Sequence, residues 1–226
     1  MSQNFKRILI WSGWFRLSHL FIGLSTLALL STGSLIQHSP VLAQHAANIH
    51  HYAAGLLMAG LCIRISLMFF GQPHERLSYL LPKARELRTM LGMLRFYALL
   101  GKTKLPNWYA QNPFWKPIYL AVYLLLIGLL ISGVLLIEGG FLLGWPAMPL
   151  HQFASDALLI FSLLHIVAVV WHDYKAGGSD VSAMINGVRT FNIENNEASN
   201  NRSQAIKFTP MAEFGHKQSA KKQPTK

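Results

Sequence analysis

Four long apolar runs dominate the chain, and each is long enough to cross a lipid bilayer as a helix. A hydrocarbon core of about 30 Å requires roughly 20 helical residues. The runs cover residues 15–36, 51–70, 118–137 and 151–171. The third run contains no charged residue, and Pro117 precedes it, where a first helical turn does not need the missing amide. The pattern predicts an all-α protein, a four-helix transmembrane bundle.

Basic residues are unevenly distributed among the segments between these runs. Residues 33–50 and 139–150 contain no Lys or Arg, whereas the N-terminus, the segment 71–117 and the C-terminal region are rich in them. Positively charged loops stay in the cytoplasm, so we expect both termini and the long middle segment to be cytoplasmic. We therefore attribute the net charge of +11 to one side of a membrane and expect no nucleic-acid partner. With 52% hydrophobic and 13% charged residues, an ordinary soluble protein is excluded, since such proteins carry about 25% charged residues.

The middle and C-terminal segments differ from the four runs. Between the second and third runs, apolar residues recur at helical spacing among arginines, which predicts an amphipathic helix lying on lipid at the cytoplasmic face. These residues are Leu87, Met90, Leu91 and Leu94. After about residue 192 the chain is rich in Asn, Ser, Lys and Gln. We expect a membrane domain over residues 1–191 and a disordered basic cytoplasmic tail over 192–226.

Several histidines interrupt the apolar runs, where an ionisable side chain is costly and indicates a partner or a function. His151 and His165 are 14 residues apart, which places them on one helix face, about 21 Å apart along its axis. His19 lies near the cytoplasmic end of the first span, and His51 lies at the outer end of the second. Histidines at the same depth in the membrane should pair, which joins His51 to His151 near the outer face and His19 to His165 near the inner face. His50 replaces His51 if the helix is rotated differently.

Two bis-histidine sites inside a helical bundle predict a cytochrome with two b-type haems. Cys62 is the chain's one cysteine, so covalent attachment through a Cys-x-x-Cys-His motif is excluded and both haems are expected to be non-covalent. Zinc is the alternative metal, although no carboxylate, cysteine or third histidine completes either pair. A haem-free anchor, in which the histidines form hydrogen bonds between helices, is a further alternative.

Several motifs add a family resemblance that covers residues 15–191. They are residues 16–19 (RLSH), 49–55 (IHHYAAG), 62–65 (CIRI), 111–113 (QNP) and 182–187 (SAMING), together with the spacing of His151 and His165. The chain resembles the b-type cytochrome subunits of membrane-bound nickel-iron hydrogenases, which are related to bacterial cytochrome b561 and to the gamma subunit of formate dehydrogenase. In that family the ligand histidine is followed four residues later by glycine, which favours His51 over His50.

The resemblance implies a quinone-reactive subunit of the bacterial inner membrane. It would carry electrons between a periplasmic hydrogenase or other dehydrogenase and the quinone pool, as one subunit of an oxidoreductase complex rather than a complete enzyme. In related proteins an asparagine at the position of Asn112 lies beside the quinone, and a helix cap is the alternative role. Arg16 and Arg64 are expected to pair with haem propionates, or alternatively with lipid headgroups. The segment 138–150 is shorter than in the hydrogenase subunits, so a stand-alone quinone-linked oxidoreductase of the cytochrome b561 type is the alternative function.

Overall fold

The computed structural model describes residues 4–142, 144–176 and 180–193. It confirms a predominantly helical protein with four helices that are long and apolar enough to cross a membrane. These are α1 (Gly13–His38), α2 (Ala43–Phe70), α5 (Lys116–Ile137) and α6 (Ala147–Ala176). Among the described residues, three short helices lie outside the spans, namely α3 (Leu77–Leu80), α4 (Leu87–Ala98) and α7 (Asp180–Asn186). A 3-10 turn (Ala84–Glu86) precedes α4.

The described part of the chain also forms four short strands that were not predicted. They are β1 (Asn4–Leu9), β2 (Phe141–Leu142), β3 (Trp145–Pro146) and β4 (Val188–Ile193). β1 pairs with β4, and the antiparallel β2–β3 hairpin connects α5 to α6. The predicted tail from residue 192 therefore begins inside β4, and its remainder, residues 194–226, lies outside the described residues.

Polar residues next to the apolar runs begin two of the long helices. The Ser12 side chain accepts a hydrogen bond from the Phe15 amide (3.1 Å) and so caps α1. The Asn112 Oδ1 accepts one from the Phe114 amide (3.1 Å) in the turn that leads into α5. Both devices satisfy amides that would otherwise lack partners near a helix start.

The long helices pack as two hairpins, α1 with α2 and α5 with α6. A leucine-rich core joins them, formed by Leu57, Leu61, Leu126, Leu129 and Leu158. Gly60 allows α1 to approach α2 closely, because a Cβ atom at that position would lie 3.0 Å from the Phe21 Cβ.

A polar and aromatic layer covers the end of the bundle where α1 and α5 begin. Its apolar cluster consists of Ile10, Trp11, Phe15, Ala110 and Ala183. The fully buried Glu75 accepts hydrogen bonds from the amides of Ser12 (3.1 Å) and Gln72 (3.0 Å). Lys116 is also fully buried and pairs with Glu86 at 2.7 Å.

The predicted amphipathic helix is present as α4. Leu87, Leu91 and Leu94 are exposed on it, whereas Met93 and Phe96 are fully buried against the protein. The exposed leucines form an apolar face that suits contact with lipid, as the sequence predicts.

Candidate functional site

Four histidines meet as two pairs with the same separation. The ring centres of His19 and His165 are 6.4 Å apart, with the ring planes at 51°. Those of His50 and His151 are also 6.4 Å apart, with the planes at 56°. An imidazole–metal bond is about 2.0 Å long and the donor nitrogen lies about 1 Å from the ring centre, so two axial imidazoles of one metal ion have ring centres about 6 Å apart. Each pair therefore has the spacing of two imidazoles that could bind one metal ion.

The structure brings His50, the alternative to His51, beside His151 and leaves His51 exposed. α2 begins at Ala43, well before the apolar run, so the helix is already formed at both histidines. Neighbouring helical residues are rotated by about 100°, and only one of the two can face the bundle. We call His19 and His165 the inner pair, and His50 and His151 the outer pair.

The inner pair lines a cavity of about 480 Å³, the inner cavity. This volume lies in the range of about 300–1,000 Å³ that is typical of cofactor sites. Phe161 stacks on the His165 ring (5.5 Å between centres, planes at 19°) and holds it in place. Gly23, one turn after His19, also lines the cavity, and a Cβ atom there would meet no other atom within 4 Å. Two imidazoles in an apolar cavity of this size fit a haem.

The outer pair is held by hydroxyl groups on neighbouring helices. The His50 Nδ1 lies 2.8 Å from the Thr32 Oγ1, and the His151 Nδ1 lies 2.8 Å from the Ser132 Oγ. Sequence reasoning missed both hydroxyls. The available signal was the pair of dipeptides Thr32–Gly33 and Ser132–Gly133, each inside an apolar run.

Arg64 is 1% exposed and therefore does not extend to lipid headgroups. It donates hydrogen bonds to the Tyr123 hydroxyl (3.0 Å) and the Glu75 carbonyl (2.8 Å). Its guanidinium lies 5.0 Å from the ring centre of Phe15, which lines the inner cavity. Within the described ranges its second terminal nitrogen is buried without a partner, so it retains a free donor for an anion.

Arg16 connects two elements near the same end of the bundle. One terminal nitrogen donates to the Ile185 carbonyl of α7, while the buried Nε has no partner among the described residues. Neither Arg16 nor Arg64 lines the inner cavity itself. Both have donors available for a carboxylate, and their role toward propionates stays a prediction.

Asn112 and Gln111 contribute buried amide groups to the wall of the inner cavity. In the part of the chain that the structure describes, the Asn112 Nδ2 and the Gln111 Oε1 have no hydrogen-bond partner. The Asn112 Oδ1 meanwhile accepts from the Phe114 amide. A capping role and a quinone-binding role for Asn112 are therefore compatible. One side-chain atom organises the turn before α5, and the other remains free for a ligand.

A hydrogen-bonded chain that sequence reasoning did not identify lies beside these amides. The Trp115 Nε1 donates to the Tyr97 hydroxyl (2.7 Å), and the same hydroxyl is hydrogen-bonded to the His172 Nε2 (2.6 Å). His172 lines the inner cavity. Burial raises the pKa of Tyr97 to about 12, so its phenol stays protonated at neutral pH.

An ion pair closes the same region. Arg189 and Asp180 lie 3.0 Å apart, and both line the inner cavity. Burial raises the pKa of Asp180, while the Arg189 charge acts in the opposite direction. Arg189 also donates to the carbonyls of Trp108 (2.9 Å) and Tyr109 (2.8 Å), which ties β4 to the segment before α5.

Four apolar helices with paired histidines define a membrane-bound b-type cytochrome. The model of the family described as prokaryotic cytochrome b561 matches residues 10–187, and the chain belongs to that family. It is thus a membrane protein that transfers electrons by means of b-type haem. The chain is also 27% identical over 207 residues to the probable Ni/Fe-hydrogenase B-type cytochrome subunit of Bradyrhizobium diazoefficiens, with 78% of this chain and 83% of that protein covered. No solved structure matches the chain significantly.

Proposed function

We propose that the protein holds two b-type haems, one at the inner pair and one at the outer pair. The observation that carries this proposal is the 6.4 Å separation found in both pairs. When bound, haem supplies reversible one-electron chemistry, while the chain supplies ligation, spacing and electrostatics. His19 and His165 would be the inner ligands, and His50 and His151 the outer ligands.

The inner cavity also supports a quinone site next to the inner pair. A quinone carbonyl needs a hydrogen-bond donor and a quinol hydroxyl needs an acceptor, and the unpartnered atoms of Asn112 and Gln111 supply one of each. His172 lines the same cavity and is hydrogen-bonded to the Tyr97 hydroxyl. His172 would exchange protons with the bound quinone.

The distribution of basic residues supports an orientation with the outer pair toward the periplasm and the inner cavity toward the cytoplasm. In this orientation a periplasmic redox subunit would exchange electrons at the outer pair. The name of the relative, a hydrogenase cytochrome subunit, favours a hydrogenase as that partner. The protein would then link the periplasmic enzyme to the quinone pool of the bacterial inner membrane.

Alanine variants of the adjacent residues His50 and His51 test the ligand assignment. The purified wild type should contain two haems per chain by pyridine haemochrome assay. His50→Ala should lose one haem, because it removes one imidazole of the outer pair. His51→Ala is the matched control and should retain both, since its side chain is exposed. Loss of a haem in His51→Ala with two retained in His50→Ala would contradict the assignment.

A further inference from the structure

We propose that Thr32 and Ser132 are positioning residues that orient the outer histidines and lower the reduction potential of the outer site. The proposal rests on the proposed function, because it assigns these hydroxyls a role toward the haem at the outer pair. Thr32 lies on α1 and faces His50 of α2, and Ser132 lies on α5 and faces His151 of α6.

The direction of the hydrogen bond at Thr32 follows from its second partner. Its hydroxyl donates to the Ala28 carbonyl at 2.6 Å, and the Leu29 carbonyl lies at 3.2 Å. A hydroxyl has one proton to give, and carbonyl oxygens only accept. The Thr32 oxygen therefore accepts from the His50 Nδ1, at 2.8 Å.

Ser132 repeats this arrangement on the other hairpin. Its hydroxyl donates to the Leu129 carbonyl at 3.1 Å, so its oxygen accepts from the His151 Nδ1 at 2.8 Å. Both hydroxyl residues are buried, with Thr32 6% and Ser132 3% exposed. Water is therefore largely excluded from competing for these hydrogen bonds.

A glycine follows each hydroxyl residue and provides space for the imidazole. A Cβ atom at Gly33 would lie 3.7 Å from the His50 Cε1, and one at Gly133 would lie 3.6 Å from the His151 Cε1. The α1–α2 and α5–α6 hairpins thus present the same pair of contacts to their histidines. Because two different stretches of sequence produce the same contacts, we infer that the arrangement serves the outer site.

The hydrogen bonds determine which ring nitrogen is free. With the proton on Nδ1, the lone pair of each outer histidine is on Nε2, the atom needed for ligation. A hydrogen bond donated by the ring nitrogen that does not bind the metal also makes a histidine ligand more basic. A more basic ligand favours the oxidised metal, so both hydroxyls lower the reduction potential of the outer site.

The inner pair differs in this respect. Within the described ranges, His19 and His165 show no side-chain hydrogen bond, and His165 packs instead against the rings of Phe161, Trp115 and Tyr119. The hydrogen bonds to the histidine ligands therefore lower the reduction potential of the outer site relative to that of the inner site. This difference favours electron movement from the outer site to the inner site.

Variants without the hydroxyls test the proposal by redox titration of the absorption spectrum. The outer component is identified as the one that His151→Ala removes. In Thr32→Val and Ser132→Ala its reduction potential should rise, with a larger rise in the double variant and no change in the inner component. Haem affinity at the outer site should fall about 10-fold to 100-fold, the usual effect of removing such a hydrogen bond.

Two controls separate this role from a general packing defect. Ser25→Ala removes a buried hydroxyl of α1 that also donates to its own helix (2.6 Å to the Phe21 carbonyl). Within the described residues this hydroxyl forms no hydrogen bond with a histidine, so both potentials should remain unchanged. Thr32→Ser keeps the acceptor oxygen and should restore the wild-type potential. If Thr32→Val loses the outer haem altogether, its retention in Thr32→Ser supports the proposal.

Two results would overturn it. The first is an outer potential and haem affinity that stay at wild-type values in the double variant. The second is a haem loss in Thr32→Val that Thr32→Ser shares. A failure of the proposed function would look different, because His151→Ala would then remove no haem from the protein.

Discussion

Replacing Lys116 with methionine should destabilise the protein by about 3 kcal/mol, at the lower end of the range for breaking a buried ion pair. The Lys116 side chain is 0% exposed, and its Nζ lies 2.7 Å from a carboxylate oxygen of Glu86. The same Nζ lies 4.0 Å from the ring centre of Tyr79. Methionine fills a similar volume, so the variant removes the charge and leaves most of the packing in place.

The magnitude follows from two opposing effects. Two unit charges at this separation attract by about 6 kcal/mol at an effective dielectric constant of about 20. The wild type loses part of this energy because the ammonium group is removed from water. The Glu86 side chain is 17% exposed, so in the variant its unpaired carboxylate regains some hydration and the net cost stays near the lower limit.

A double-mutant cycle in detergent measures the effect. The free energies of unfolding of wild type, Lys116→Met, Glu86→Gln and the double variant give the coupling energy directly. Lys83→Met is the matched control, because Lys83 is exposed and lies 6.0 Å from the ring centre of the same Tyr79. The reasoning is refuted if Lys116→Met costs less than about 1 kcal/mol, the value expected for a surface ion pair.

Two further predictions concern the inner cavity. Asn112→Asp keeps the oxygen that accepts from Phe114 but removes the free amide donor. Steady-state assays with a soluble quinol should therefore show a KM at least about 10-fold higher, the effect of about 1.4 kcal/mol, with haem content unchanged. An unchanged KM would contradict the quinone site. The phenol of Tyr97 should ionise near pH 12 in an ultraviolet difference titration of wild type against Tyr97→Phe. Because the pKa of Tyr97 is raised in the folded state, its contribution to stability is complete below about pH 10 and is lost as the pH rises through about 12. Ionisation near pH 10 in the titration would show that the phenol is hydrated.

Hydrophobicity and charge sufficed to predict the main elements. Apolar runs of about 20 residues must form backbone hydrogen bonds internally, so each of the four became a helix. Depth along these helices was enough to predict the inner pair, since His19 and His165 were expected at the same level and the structure brings them together. The helix boundaries were less well predicted, because polar residues such as Gln44 and His45 continue α2 before its apolar run.

What the sequence by itself determined is the number of spans and the set of histidines inside them, because insertion into lipid depends on composition and length. The tertiary structure alone decided that His50 and not His51 faces His151. A membrane helix is apolar on every side, so its sequence periodicity does not indicate which face points inward. The roles of Thr32 and Ser132 were hidden for a related reason, since hydroxyls in such helices commonly bond to their own backbone. Packing of each helix against its neighbour is what directs those oxygens to a histidine.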